Sequence, residues 1–224
     1  MPTDADIAPV AALLGDPARA EIVSALNAGR ALPAGELARR AGVAPSTASE
    51  HLARLVDGGL LAVETTGRHR YFRIASDDVA HAIEALSVLA QPRAPRNLRE
   101  ASIGDALAAA RTCYDHLAGT LGVAVTDALL RERALDDQAG SFVLGPRVEE
   151  VLLPLGVDPS TLPSRRPAVR RCIDWSERRP HLAGALGAAI CVRAREQGWI
   201  EPLPGSRAVK VTAAGRKAFA SLGV

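Results

Sequence analysis

The sequence predicts a mainly α fold with small β-wings, an α+β architecture in two parts. Three observations carry this reading. Between Leu32 and Ile74, apolar residues recur first at helical spacing and then in two short runs rich in β-branched and aromatic residues. Gln91-Pro92-Arg93-Ala94-Pro95-Arg96 then breaks the pattern as a linker would. Beyond it the chain repeats itself. His116-Leu-Ala-Gly-Thr-Leu-Gly-Val-Ala returns as His181-Leu-Ala-Gly-Ala-Leu-Gly-Ala-Ala, each preceded by Cys-x-Asp.

The elements follow in order. Ile7, Val10, Leu13 and Leu14 mark an amphipathic helix near the start. Leu37 and Ala38 give the next clear helix a small inner face, Gly42 ends it, and Val43 plugs the turn. Pro45 suits the first turn of a following helix, where its missing N–H costs nothing. Ala48, Leu52 and Leu55 face inward, which leaves Ser46, Thr47, Ser49, Glu50, His51 and Arg54 on the outer face or its edges. Short hydroxyls near a helix N-terminus donate to phosphates and base edges in a major groove. Gly58-Gly59 stops the helix. Leu60 to Thr65 and His69 to Ile74 read as strands, with Thr66-Gly67 as the turn and Arg68, His69 and Arg70 near the tip. Val79, Ile83, Leu86 and Leu89 predict a closing helix capped by Ser76-Asp77-Asp78. This order is a winged helix-turn-helix.

The segment resembles the ArsR/SmtB family of winged-helix transcriptional regulators. Ser46-Thr47-Ala48-Ser49-Glu50-His51-Leu52, Leu55 and Gly59-Leu60 match that family's recognition-helix pattern, and Gly67-Arg68 through Tyr71 match its wing. Leu14-Gly15-Asp16-Pro17-Ala18-Arg19, followed by Ile22 and Leu26, is similar to its opening pattern. The resemblance covers about residues 5–90 and implies a homodimer, paired through the outer helices, on an inverted-repeat operator of double-stranded DNA. A repressor is expected here. Pro45, Ser46, Thr47, Ser49, Glu50, His51, Arg54, Arg68, His69, Arg70 and Tyr71 are the expected DNA contacts. A basic residue is common in the family where Glu50 stands, so either the sequence read differs or Glu50 points at a neighbouring Arg. Of the family's known sensor sites, the metalloid type wants cysteines in the first helix of the motif, and residues 34–41 contain none. The zinc type on the dimer helix is met only in part, by Asp78 and His81, without the later His-x-x-Glu.

Composition bounds the rest. A chain of 224 residues with 48% hydrophobics holds one or two domains with ample core. No apolar run is long enough to span a bilayer, and the N-terminus lacks a basic leader, so a cytoplasmic location is expected, with no membrane partner. Net charge is +2, but residues 1–90 hold 8 basic and 11 acidic side chains against 19 and 14 in residues 91–224. DNA affinity is therefore expected from local placement of Arg54, Arg68, Arg70 and Arg73 rather than from a globally basic domain. Neither phosphate-loop nor nucleophile-elbow motifs occur, so no enzyme is expected.

The expected domains are 1–90 for DNA binding and dimerisation, 91–97 as linker, and 98–224 as two related helix–hairpin units, at about 98–157 and 165–224. Phe142 to Val157 aligns without gaps to Val209 to Val224, while six extra residues, Trp175 to Pro180, enter the second copy. Gly119, Gly122, Gly184 and Gly187 suggest a close helix crossing. Cys113 and His116 are expected one helical turn apart on a shared face, with Cys172 and His181 in the related places. Pseudo-symmetry would then gather Cys₂His₂ for Zn(II) or another soft metal, with Asp115 and Asp174 bonding the histidines. Other readings stand beside it: thiols that answer oxidants or electrophiles, activated by Arg111, Arg170 or Arg171; a small-molecule pocket; or a purely structural repeat in a constitutive DNA-binding protein. Cys191 is expected in the core.

Overall fold

The computed structural model describes residues 4–91, 94–95 and 97–224. The chain divides into two compact units, residues 1–83 and 84–224.

The first unit begins with α1 (Ala8–Leu14) and α2 (Pro17–Leu26). Asp16 caps α2 by accepting from the Arg19 amide at 2.9 Å, and Pro17 occupies its first turn. The Arg19 guanidinium turns back and donates to the carbonyls of Leu13 (2.6 Å) and Ala12 (2.9 Å), satisfying acceptors that the end of α1 leaves open. Next come β1 (Leu32–Pro33), α3 (Ala34–Ala41) and α4 (Pro45–Asp57). Gly42 ends α3 at φ +68°, where an L side chain would be strained. The helices α2, α3 and α4 pack on one another through a buried set that includes Ile22, Leu26, Leu37, Ala48, Leu52 and Leu55. The hairpin of β2 (Leu61–Thr66) and β3 (His69–Ile74) follows, and β1 pairs antiparallel to β3 with Leu32 opposite Phe72. A two-residue strand has no readable period, which is why sequence patterning missed β1. Thr66 pairs with His69, so the turn is Gly67-Arg68 rather than Thr66-Gly67.

Helix α5 (Asp77–Leu89) carries the division between the units, which falls at residues 83 and 84 inside it rather than after residue 90. Of the expected linker, Pro92, Arg93 and Arg96 lie outside the described residues, and Asn97 is already the cap of α6, accepting from the Glu100 amide at 2.9 Å.

In the second unit, α6 (Leu98–Ala109) leads into two copies of one motif. The first copy is β4 (Arg111–Cys113), β5 (His116–Ala118), α7 (Gly119–Arg131), β6 (Leu135–Gln138), β7 (Ser141–Leu144) and α8 (Val148–Leu152). The second is β8 (Arg170–Ile173), β9 (Pro180–Ala183), α9 (Gly184–Glu196), β10 (Ile200–Pro202), β11 (Val209–Val211) and α10 (Ala213–Ala220). Each copy is hairpin, helix, hairpin, helix. The two exchange partners: α9 packs on β5, α7 packs on β9, and β5 lies beside β9. Thr126 of α7 accepts from the Leu182 amide of β9 at 2.8 Å. One shared core, including Leu129, Leu135, Leu152, Leu186, Cys191 and Phe219, runs through both copies.

Two expectations are corrected here. Cys113 and His116 do not share a helix face. They end and begin adjacent strands and are direct cross-strand partners, as are Cys172 and His181. A separation of three residues fits a helical turn and a two-residue hairpin loop equally, and the hairpin wins because β4 and β5 each find a partner there. The glycines also do a different job. Gly122 and Gly187 let the helix start press on the strand before it: a Cβ there would sit 2.5 Å from the Leu117 carbonyl oxygen and 2.6 Å from that of Leu182. Among the described residues, no helix is long and apolar enough to cross a membrane.

Candidate functional site

Two places in the molecule gather chemistry. In the first unit, α4 buries Ala48, Leu52 and Leu55 and turns Pro45, Ser46, Ser49, Glu50 and Arg54 to solvent, with Thr47 at the edge. Ser49 Oγ donates to the Pro45 carbonyl at 2.9 Å, a bond within the helix that water or phosphate can replace at little cost. Arg68, His69 and Arg70 are exposed at the wing tip, and Arg70 lies 5.4 Å over the Phe72 ring. Tyr71 is half-buried. Two side chains depart from expectation. His51 is drawn inward: its Nδ1 lies 3.5 Å from Arg19 Nη1 and its Nε2 3.9 Å from Asp16. Arg73 pairs with Glu64 across the wing and donates to the Ile74 carbonyl at 3.1 Å, so its charge is engaged within the wing.

In the second unit, the two partner-exchanging hairpins bring Cys113, His116, Cys172 and His181 together. Their ligand atoms all lie within 4.8 Å of one another. The sulfurs are 3.9 Å apart and the two Nε2 atoms 3.2 Å apart. All four side chains are buried, and the imidazoles stack with ring centroids 5.1 Å apart. Tyr114, at φ +56° in the β4–β5 turn, sets Asp115 against the His116 ring, with Nδ1 3.2 Å from Oδ1. Asp115 is held in turn by Arg166 at 2.7 Å.

Asp174 plays the related part in the second copy. Fully buried, it accepts from Arg111 (2.8 Å), the Gly119 amide (2.7 Å), and the Ser176 hydroxyl (2.6 Å) and amide (2.9 Å). It lies 3.8 Å from His181 Nδ1, which makes no hydrogen bond among the described residues. Arg111 is itself wholly buried, 4.5 Å over the Trp175 ring. The added residues of the second copy lengthen the β8–β9 turn, which supplies Trp175 and Ser176, and end at Pro180, the first residue of β9.

Electrostatics follow from this packing. Burial opposes ionisation of Asp174, but Arg111, Ser176 and the Gly119 amide outweigh it and hold the carboxyl well below the usual carboxylate range. Burial pulls His116 down, yet its hydrogen bonds to Asp115 and Cys172 prevail and raise it to about 9. Burial, then the contact with Cys172, pushes the Cys113 thiol up, and burial raises Cys191 to about 11. The arginines near Cys113 therefore do not make it a ready thiolate. The sequence pointed to the four side chains and both aspartates but not to Ser176, two residues beyond Asp174, nor to Arg166 and the Glu84–Arg207 ion pair beside Cys113, which only long-range folding brings there.

A helix with a polar, hydroxyl-rich outer face beside a two-stranded basic wing defines a winged helix-turn-helix DNA-binding protein. A helix-turn-helix domain family matches residues 14–64. The chain is 41% identical over 215 residues to YdfF of Bacillus subtilis (strain 168), described as an uncharacterized HTH-type transcriptional regulator; the match covers 96% of this chain and 95% of that protein. The chain belongs to this family of HTH-type transcriptional regulators and is a DNA-binding transcriptional regulator. Among solved structures, HlyU from Vibrio cholerae N16961 is 27% identical, with 36% of this chain and 87% of that chain covered and a TM-score of 0.34. The homodimeric winged helix-turn-helix domain of Mb0332 from Mycobacterium bovis is 29% identical, with 40% and 89% covered and a TM-score of 0.35.

Proposed function

We propose that the chain is a homodimeric, sequence-specific repressor of the cytoplasm that binds an inverted-repeat operator through α4 and the β2–β3 wing. The observation that carries this is the outer face of α4: Ser46, Ser49, Glu50 and Arg54 are exposed together, and the wing adds exposed Arg68, His69 and Arg70. Serine hydroxyls and a Glu carboxylate meet base edges and phosphates, and the arginines supply the phosphate charge. Homodimerisation is supported by apolar side chains exposed on the outer helices: Ile7 and Val10 at the start and length of α1, and Leu86 and Leu89 on α5. Effector input belongs to the second unit, because α3 contains no cysteine for a metalloid site.

Selection of binding sites from random DNA, paired with the mass of the complex in solution, tests the reading. It predicts a palindrome with half-sites about one DNA turn apart, bound by two chains. An asymmetric site bound by one chain would overturn the dimeric part.

A further inference from the structure

Four metal-ligating side chains from two separate hairpins converge on one buried point in the second unit. Two are cysteines and two are histidines, one of each from each copy of the motif. In a tetrahedral site with Zn–S of about 2.3 Å and Zn–N of about 2.0–2.1 Å, the sulfurs stand ~3.8 Å apart and the nitrogens ~3.3 Å apart. Here the sulfurs stand 3.9 Å apart and the Nε2 atoms 3.2 Å apart. We propose that Cys113, His116, Cys172 and His181 bind one Zn(II) per chain and that the ion staples the two copies together.

The surroundings support the same ion. Asp115 accepts from His116 Nδ1–H and turns Nε2, the nitrogen a metal would take, toward the cluster. His181 Nε2 points at the same place, with its own Nδ1 turned toward Asp174. Two imidazole nitrogens at that distance need a proton or a cation between them, and a bound ion would displace the proton that the metal-free pair holds. Two thiolates neutralise a divalent ion, and the nearby carboxylates are each matched by an arginine, Asp115 by Arg166 and Asp174 by Arg111. A net-neutral cluster is what a buried site tolerates. Two sulfurs with two nitrogens in four-fold array suit Zn(II), whereas magnesium and calcium want oxygen ligands. Four protein ligands leave no open position, so the site serves structure rather than catalysis. The ligands come from β4, β5, β8 and β9, so the ion would cross-link the first copy to the second.

The proposal stands on the second unit alone and needs nothing from the DNA-binding reading. It is tested on the untagged full chain purified in reductant without added metal. About one zinc per chain is expected, exchangeable for Co(II) with the intense visible bands of a tetrahedral thiolate site. Cys113→Ser and His181→Gln lose the ion, and Cys191→Ser keeps it. Where the first two variants fail to fold, titration of folded wild-type apoprotein with Co(II), followed by displacement with Zn(II), decides. Failure of that apoprotein to bind either ion stoichiometrically overturns the proposal. So does a Cys113–Cys172 disulfide in protein prepared without oxygen, or equal loss of metal in Cys191→Ser.

Discussion

The two units use arginine in opposite ways. In the first, Arg54, Arg68 and Arg70 stand in solvent on the face that would meet DNA. In the second, Arg111 is wholly buried against Asp174, and Arg166 holds Asp115. An exposed guanidinium contributes little to the fold and stays free to meet a phosphate. A buried one is a structural element, because its partner carboxylate is left uncompensated when it goes. Changes on the α4 face should act on binding and leave stability alone, and changes around the Cys-His cluster should do the reverse.

The sharpest way to break that contrast is Asp174→Asn. It leaves the Arg111 guanidinium buried without its counter-charge and should destabilise the second unit by about 3–5 kcal/mol in denaturant unfolding. The same pair gives a pH signature. The Asp174 carboxyl titrates below its unfolded value in the folded state, so its stabilisation is complete above the ordinary carboxylate range. It is lost as the pH falls through the lowered folded value. Unfolding midpoints measured from neutral pH downward should therefore fall more steeply in wild type than in Asp174→Asn, and parallel curves would remove the pair from the account.

Leu52→Ala comes next. Leu52 is 1% exposed in the core of the first unit, and its truncation should cost about 2–5 kcal/mol through the cavity left behind. That loss should register in the unfolding of the first unit, with the zinc content of the second unchanged. Asp115→Asn is gentler on the fold. It replaces the carboxylate that accepts from His116 Nδ1 with a neutral, weaker amide acceptor and should weaken Zn(II) affinity by about 10–100-fold, read by competition with a chelator. Asp127→Asn is the smallest. It breaks an ion pair to Arg179 that is about half exposed on both sides, at 2.9 Å, and should cost about 0–1 kcal/mol. A cost there equal to that of Asp174→Asn would mean that burial does not separate the two pairs.

The winged helix was legible because its signals are local. The cap of Asp16, the Gly42 stop, Pro45 at a helix start and the spacing of Ala48, Leu52 and Leu55 all act within one or two turns of chain. The cluster was legible in membership but not in geometry. Cys113 and His116 are three residues apart and pass for helix neighbours, while Cys172 and His181 are nine apart and do not. A hairpin absorbs that difference in its turn and keeps both pairs opposite one another; a helix would rotate one partner away. The six-residue insertion was thus the available signal for strands. His51 misled for another reason. Its helical position is at the edge of the outer face, and the partners that draw it inward, Arg19 and Asp16, lie more than thirty residues earlier.

If α4 and the wing read DNA, the exposed arginines of that face must carry part of the operator affinity. The direct measurement is operator affinity, by fluorescence anisotropy at fixed salt, for Arg54→Ala and Arg70→Ala beside wild type. Each variant should bind the selected operator more weakly by at least ~1 kcal/mol while unfolding at the wild-type midpoint. Wild-type affinity in both variants would contradict the claim and move the DNA-contact face elsewhere on the molecule.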